Sequence, residues 1–209
     1  MSKKLLTKTY PHGQKMPDSV LSPIDKAILN FFNLFKHRLY KMGITPNMLT
    51  TVSVIFSLLA IYFVFKKRFK LAAIAILLNY CFDSFDGNMA RSFKMESKFG
   101  DYYDHVSDVI FYAGLSVAFW FVDIHYKTKL MLFAIVVIFT YLSAIYFGCG
   151  EKLNKNHLES ETLNGLKKYC NEVFFAKYSK WIGGGSVITM ICIIVFNLQY
   201  IDYWFSLKK

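Results

Sequence analysis

Three runs of this chain, Met48 to Phe65, Leu130 to Cys149 and Trp181 to Ile201, contain no charged residue. Each extends about 18 residues or more, enough as helix to cross the roughly 30 Å of hydrocarbon in a bilayer. In lipid every backbone N–H and C=O must be satisfied within the chain, so such runs are helices and the fold class they dictate is an all-α polytopic bundle. A hydrophobic content of 55% and a mean hydropathy of +0.32 agree with that class. Two further uncharged segments, Leu71 to Phe82 and Val109 to Val122, are too short to cross alone. They span only if their helices continue into the acidic stretch that separates them, which gives five spans and puts aspartates at membrane depth.

The polar residues organise the remainder. Residues 1–21 read as a polar tail, and "SPIDKAILNFFNLFKHRLYKMG" reads as one amphipathic helix with Ser22 as its cap and Pro23 at its first position. Its apolar positions Ile24, Ile28, Phe31, Phe32, Phe35 and Leu39 keep helical spacing, with Lys26, Lys36, Arg38 and Lys41 between them, the pattern of a helix lying in the membrane surface. Residues 1–44 are thus expected to form a tail and an interfacial helix, and 45–209 the membrane domain. In "TPNMLT", Thr45 can cap and Pro46 can begin the first spanning helix. The "GGGS" at 183–186 permits close helix approach, and Trp120, Tyr126, Trp181, Tyr203 and Trp204 stand at span ends as interfacial aromatics do.

The net charge of +11 is explained by orientation and anionic headgroups, without nucleic acid as a partner. With the N-terminus in the cytoplasm, 17 of the 25 basic residues fall on the inner side, which turns the acidic stretch toward the cytoplasm. Cys81, Cys149, Cys170 and Cys192 show no metal-type spacing and read as packing residues. Lys152, Lys155, Lys167, Lys168, Lys177 and Lys180 form a basic run that reads first as positive-inside bias and second as a receiver for a phosphorylated acceptor.

Six of the 14 acidic residues lie between 83 and 108. A carboxylate at membrane depth costs several kcal/mol unless paired, neutralised or wet, so this concentration calls for a function. At 100° per residue, Asp83, Asp86, Gly87 and Ala90 share one helix face, and Gly100, Asp104 and Asp108 share a face of the next, with Asp101 close to the azimuth of Asp108. Two acidic faces meeting across a turn at 92–98 repel unless a cation sits between them. Oxygen-only ligands favour Mg²⁺ or Mn²⁺. Gly87, Ala90 and Gly100 leave room for a bulky ligand, and Arg91 can grip phosphate through two hydrogen bonds. Metal, arginine and a smooth wall point to a nucleotide diphosphate substrate and to phosphoryl transfer. A proton relay in a transporter also places acids in membrane helices, but it has no use for the glycines, alanine and arginine at these separations.

"DSFDGNMAR", eight further residues and "GDYYDHVSD" resemble the signature D-x-x-D-G-x-x-A-R-x8-G-x-x-x-D-x-x-x-D of the CDP-alcohol phosphotransferases, with every fixed position filled. "TPNMLT" is similar to the opening of that family's first membrane helix. The resemblance implies that Asp83, Asp86 and Asp104 hold a pair of metal ions. Asp108 would contribute to the second ion and take the proton of the acceptor hydroxyl. It further implies that Asn47, Gly87, Arg91 and Ser97 contact the CDP part, while Gly100 and Ala90 make room for it. The expected activity is transfer of a phosphatidyl group from CDP-diacylglycerol to a polar alcohol with release of CMP, by a homodimer embedded among membrane lipids. His105, after the third signature aspartate, resembles the choline and ethanolamine phosphotransferases, which use CDP-aminoalcohols and diacylglycerol but are considerably longer chains. The family has six membrane helices where five are read here, so a sixth lies within 163–180 or the C-terminal one is missing.

Overall fold

The computed structural model describes residues 13–14, 16, 18, 20–153 and 164–207. Lys155 and most of the expected polar tail lie outside the described residues. Within them the chain forms nine α-helices and a short 3₁₀ turn, Asn164–Tyr169. In chain order the helices are α1 (Pro23–Asn33), α2 (Lys36–Lys41), α3 (Pro46–Phe65), α4 (Phe69–Phe93) and α5 (Lys98–Phe121), followed by α6 (Tyr126–Leu153), α7 (Glu172–Ile182), α8 (Gly184–Phe196) and α9 (Leu198–Leu207). The protein is an integral membrane helical bundle, and Pro46–Phe65, Tyr126–Gly150 and Lys177–Phe196 are long and apolar enough to cross a bilayer.

The two segments that were too short alone do run on into the acids. The 25 residues of α4 and the 24 of α5 give lengths of about 36–38 Å, more than the hydrocarbon requires. Between them the chain turns at Lys94, whose backbone is left-handed at φ 55°, and Met95 N–H returns to Ala90 C=O at 2.8 Å. Ser97 then caps α5 by accepting the Gly100 N–H at 3.0 Å. A short, capped turn therefore brings the two acidic faces alongside one another.

Close packing of α3 against α4 rests on small residues. Ala60 and Val64 meet Ala72, Ala73 and Ile76, and Phe111 and Ala118 of α5 with Ile188 and Val195 of α8 complete this core. Deep between α3 and α4, the buried Asn79 donates to Ser57 Oγ at 2.8 Å and to the Ser53 carbonyl at 3.1 Å, so its amide is paired without water.

Long-range contacts define two ends. At one, His125 N–H and Thr128 Oγ1 both donate to Asp202 Oδ1 at 2.7 Å, and Lys67 pairs with Asp123 at 2.8 Å. At the other, α1, α2, the α4–α5 turn and the start of α8 converge. α3, α4, α5, α6 and the α8–α9 pair each run between these two ends. Within 163–180, the region expected to hide a further span, α7 begins; its 11 residues reach about 16 Å, too short to cross alone, and Lys177–Phe196 combines its second half with α8.

Several expectations require correction. The single interfacial helix is two, interrupted at Leu34 and Phe35, and it packs on the bundle end: Phe32 is buried and stacks on Phe85 with ring centroids 4.3 Å apart. Lys36, placed on the polar face by periodicity, is buried because its ammonium finds Ser92 Oγ at 2.9 Å. The run Trp181 to Ile201 is not one helix; it breaks at Gly183, which is extended at ψ 153°, and again at Asn197. The first break has a cause. Asp25 of α1 accepts the Gly185 N–H at 2.8 Å, the Ser22 hydroxyl at 2.8 Å and the Tyr80 hydroxyl, so its carboxylate sits on the N-terminus of α8. A Cβ on Gly185 would come within 2.5 Å of Asp25 Oδ1, so the glycines cradle an acid as well as letting helices approach. Lastly, Cys149 and Cys170 are not separate packing residues but a disulfide, formed because the 3₁₀ turn folds back over the end of α6. Cys81 and Cys192 are free.

Candidate active site

Three of the aspartates come together across the two helices. Asp83 and Asp86 from α4 and Asp104 from α5 each offer one carboxylate oxygen, and these atoms lie within 4.8 Å of one another. Asp86 is the most deeply placed, at 4% exposure, and its Oδ2 accepts a 2.6 Å hydrogen bond from Thr50 of α3. Three negative groups so close, in a medium with little water to screen them, repel strongly unless a cation joins them. The donor set is hard oxygen with no sulfur or imidazole, which fits a divalent ion of the Mg²⁺ or Mn²⁺ kind.

Asp108 is outside this tight group. It lies one turn further along α5, near enough for its charge to act on Asp83, and it lines an apolar cavity of about 640 Å³ between α5, α6 and α8. His105 lines the same cavity while its Nδ1 is held 2.6 Å from the Asp101 carbonyl oxygen. Asp101 is not among the three carboxylates that group together. Polar chemistry and an apolar chamber therefore meet at Asp108, the arrangement a reaction between a lipid and a polar partner requires.

The residues expected to contact a nucleotide gather beside the triad in two groups. A Cβ on Gly100 would lie 3.1 Å from Ser97 Oγ and 3.4 Å from Asn47 Oδ1, so the start of α3 and the start of α5 form one small-walled corner. The Ser97 hydroxyl accepts the Gly100 N–H there, and any contact with a ligand would be shared with its capping role. On α4, a Cβ on Gly87 would meet the two terminal nitrogens of Arg91 at 3.0 and 3.2 Å, so the guanidinium lies over Gly87 one turn from Asp86. Ala90 is partly buried on the same face.

Sequence reasoning missed Thr50, although it stands at the end of the singled-out "TPNMLT"; nothing local ties a threonine on α3 to an acid 36 positions away. It also missed Gly13, whose carbonyl oxygen accepts from Arg91 Nε at 2.8 Å. Of the basic run, Lys152 pairs with Glu172 at 2.7 Å, and Lys155 lies outside the described residues.

Comparison with known proteins gives two matches. A family model described as CDP-alcohol phosphatidyltransferase matches residues 43–207. An archaetidylinositol phosphate synthase of Pyrococcus horikoshii is 37% identical over 70 residues, 34% of this chain and 37% of that protein. The chain thus matches little more than a third of the length of that relative. No solved structure matches.

Proposed function

The chain belongs to the CDP-alcohol phosphatidyltransferase family, and from that premise we propose that it transfers a phosphatidyl group from CDP-diacylglycerol to the hydroxyl of a polar alcohol, releasing CMP. The observation that carries the reading is the meeting of Asp83, Asp86 and Asp104 across two helices, beside an apolar cavity that has Asp108 on its wall.

In this reading Asp83, Asp86 and Asp104 would hold divalent metal, Mg²⁺ or Mn²⁺, and Asp108 would contribute to a second ion. When bound, the metal neutralises charge on the diphosphate as it develops. The chain's own groups do the rest. Arg91 grips the diphosphate, and with it Gly87, Asn47 and Ser97 contact the CDP part, while Gly100 and Ala90 leave it room. The acceptor hydroxyl oxygen attacks the phosphorus that bears the diacylglycerol, its proton passes to Asp108, and the bond from that phosphorus to CMP breaks. An apolar cavity that opens on the same point suits the acyl part of the donor. The excess of basic residues near this end supports a cytoplasmic site. The reading includes a homodimer, as the resemblance implies.

The relative's printed name puts an inositol phosphate among the acceptors to try, and the lysines at 152, 167, 168, 177 and 180 would suit a phosphorylated one. A second reading, transfer from a CDP-aminoalcohol to diacylglycerol, draws on His105 lining the cavity next to Asp108. One assay separates them. Purified protein in detergent with Mg²⁺ or Mn²⁺ is given CDP-diacylglycerol, CDP-choline or CDP-ethanolamine against a panel of acceptors. CMP is expected only with CDP-diacylglycerol and a polar alcohol; release with CDP-choline and diacylglycerol would reverse the choice. Cation flux through liposomes without nucleotide would instead point to a transporter.

A further inference from the structure

We propose that the segment ahead of α1 is a working part of the donor site, with the backbone carbonyl of Gly13 acting as the positioning group for Arg91. The inference rests on the reading that Arg91 grips the diphosphate, and it assigns a role to a part of the chain ahead of the family match, which begins at residue 43.

Gly13 lies flat on the last turns of α4. Its φ of +73° is left-handed, and a Cβ there would stand 2.3 Å from Ser92 Oγ and 2.5 Å from the Asn88 carbonyl oxygen, so both its backbone and the lack of a side chain suit it to that place. From there its carbonyl takes the Nε proton of Arg91 at 2.8 Å. A guanidinium is planar, so fixing Nε fixes the plane and direction of the two terminal nitrogens. Those nitrogens are the atoms that lie over Gly87, toward the diphosphate site.

The segment is anchored at its other side as well. Met16, Val20 and Leu21 are buried against Ile145, Tyr146 and Cys149 of α6 and Phe175 and Ile182 of α7. Met16 Cε rests on Gly150, where a Cβ would come within 2.2 Å of it. Beyond Leu21, the fully buried Ser22 caps α1 and bonds Asp25, which holds the start of α8. Through Gly13, Met16 and Val20 to Ser22 the strap therefore joins Arg91 on α4 to the ends of α6, α7 and α8.

Positioning can be separated from general stability by a double-mutant cycle with Gly13→Ala and Arg91→Lys, read through the KM for the CDP-linked donor, the KM for the acceptor and kcat. Lysine has no Nε in a planar fork and cannot use the Gly13 carbonyl in the same way. Gly13→Ala is expected to raise the donor KM about tenfold, with the acceptor KM unchanged, and to add less than about twofold once Arg91 is lysine. Met16→Ala, which loosens the strap at α6 without touching α4, is expected to raise the donor KM in the same selective way; it serves as the test if Gly13→Ala does not fold. An equal effect of Gly13→Ala in both backgrounds, or equal losses in donor KM, acceptor KM and kcat from either strap variant, overturns the proposal. So does an unchanged donor KM in the strap variants while Arg91→Lys is impaired. Should Arg91→Lys itself leave the donor KM unchanged, the assignment of Arg91 fails first and this inference with it.

Discussion

Asp86→Asn is expected to lower CMP release by about a thousandfold or more. The size follows from where the residue stands. Asp86 is the most buried member of the triad, contributes one of three oxygens within 4.8 Å, and is aimed by the Thr50 hydroxyl at 2.6 Å. Asparagine keeps the volume and can still meet Thr50, so the packing of α3 on α4 survives. What it removes is a charge-bearing oxygen ligand from a group of acids that, in the proposed reading, share a cation. The loss should therefore appear in turnover and in the concentration of Mn²⁺ needed for half activity, with the melting temperature in metal-free buffer unchanged or raised, because one source of repulsion is gone. Normal turnover at ordinary Mn²⁺ would remove the triad from the chemistry.

Asp108→Asn is expected to show a different pattern. Loss of a general base costs about a hundredfold to ten-thousandfold in kcat, and the substitution leaves the three closely grouped carboxylates untouched. Saturable Mn²⁺ binding at the triad should persist while turnover collapses. Partial recovery at high pH, where more of the acceptor hydroxyl ionises without help, would accompany a lost base. Unchanged turnover would contradict the assignment outright.

The contrast between these two variants depends on architecture that was largely legible in the sequence. Uncharged runs marked α3, α6 and the C-terminal span, Ser22–Pro23 and Thr45–Pro46 marked two helix starts, and the 100° rule put Asp83 with Asp86 and Asp104 with Asp108. That the acids of α4 and α5 meet followed from the short turn between them. What spacing cannot report is contact between distant parts of the chain. Thr50 to Asp86, Gly13 to Arg91, Asp25 to Gly185 and the Cys149–Cys170 disulfide each join residues well separated in sequence, and no local pattern announces any of them.

Lys36 shows a second reason. A binary reading sends every lysine to the polar face, yet a long apolar stem can be buried if the ammonium finds partners, and here it finds Ser92 and Asn88. Burial lowers the Lys36 ammonium from its usual range. Composition credits the triple glycine with smallness alone. The cradle it makes for Asp25 uses the backbone N–H of a helix start, a property that belongs to the break at Gly183 and is not visible in composition.

Direct binding of Mn²⁺ to the detergent-solubilised chain, followed by electron paramagnetic resonance without nucleotide or lipid substrate, tests the shared ion site most closely. Saturable binding that is lost on neutralising Asp83 or Asp86 of α4, and lost equally on neutralising Asp104 of α5, is the predicted result. Binding that survives neutralisation on either helix would mean that the two helices do not hold an ion between them, and would contradict the account.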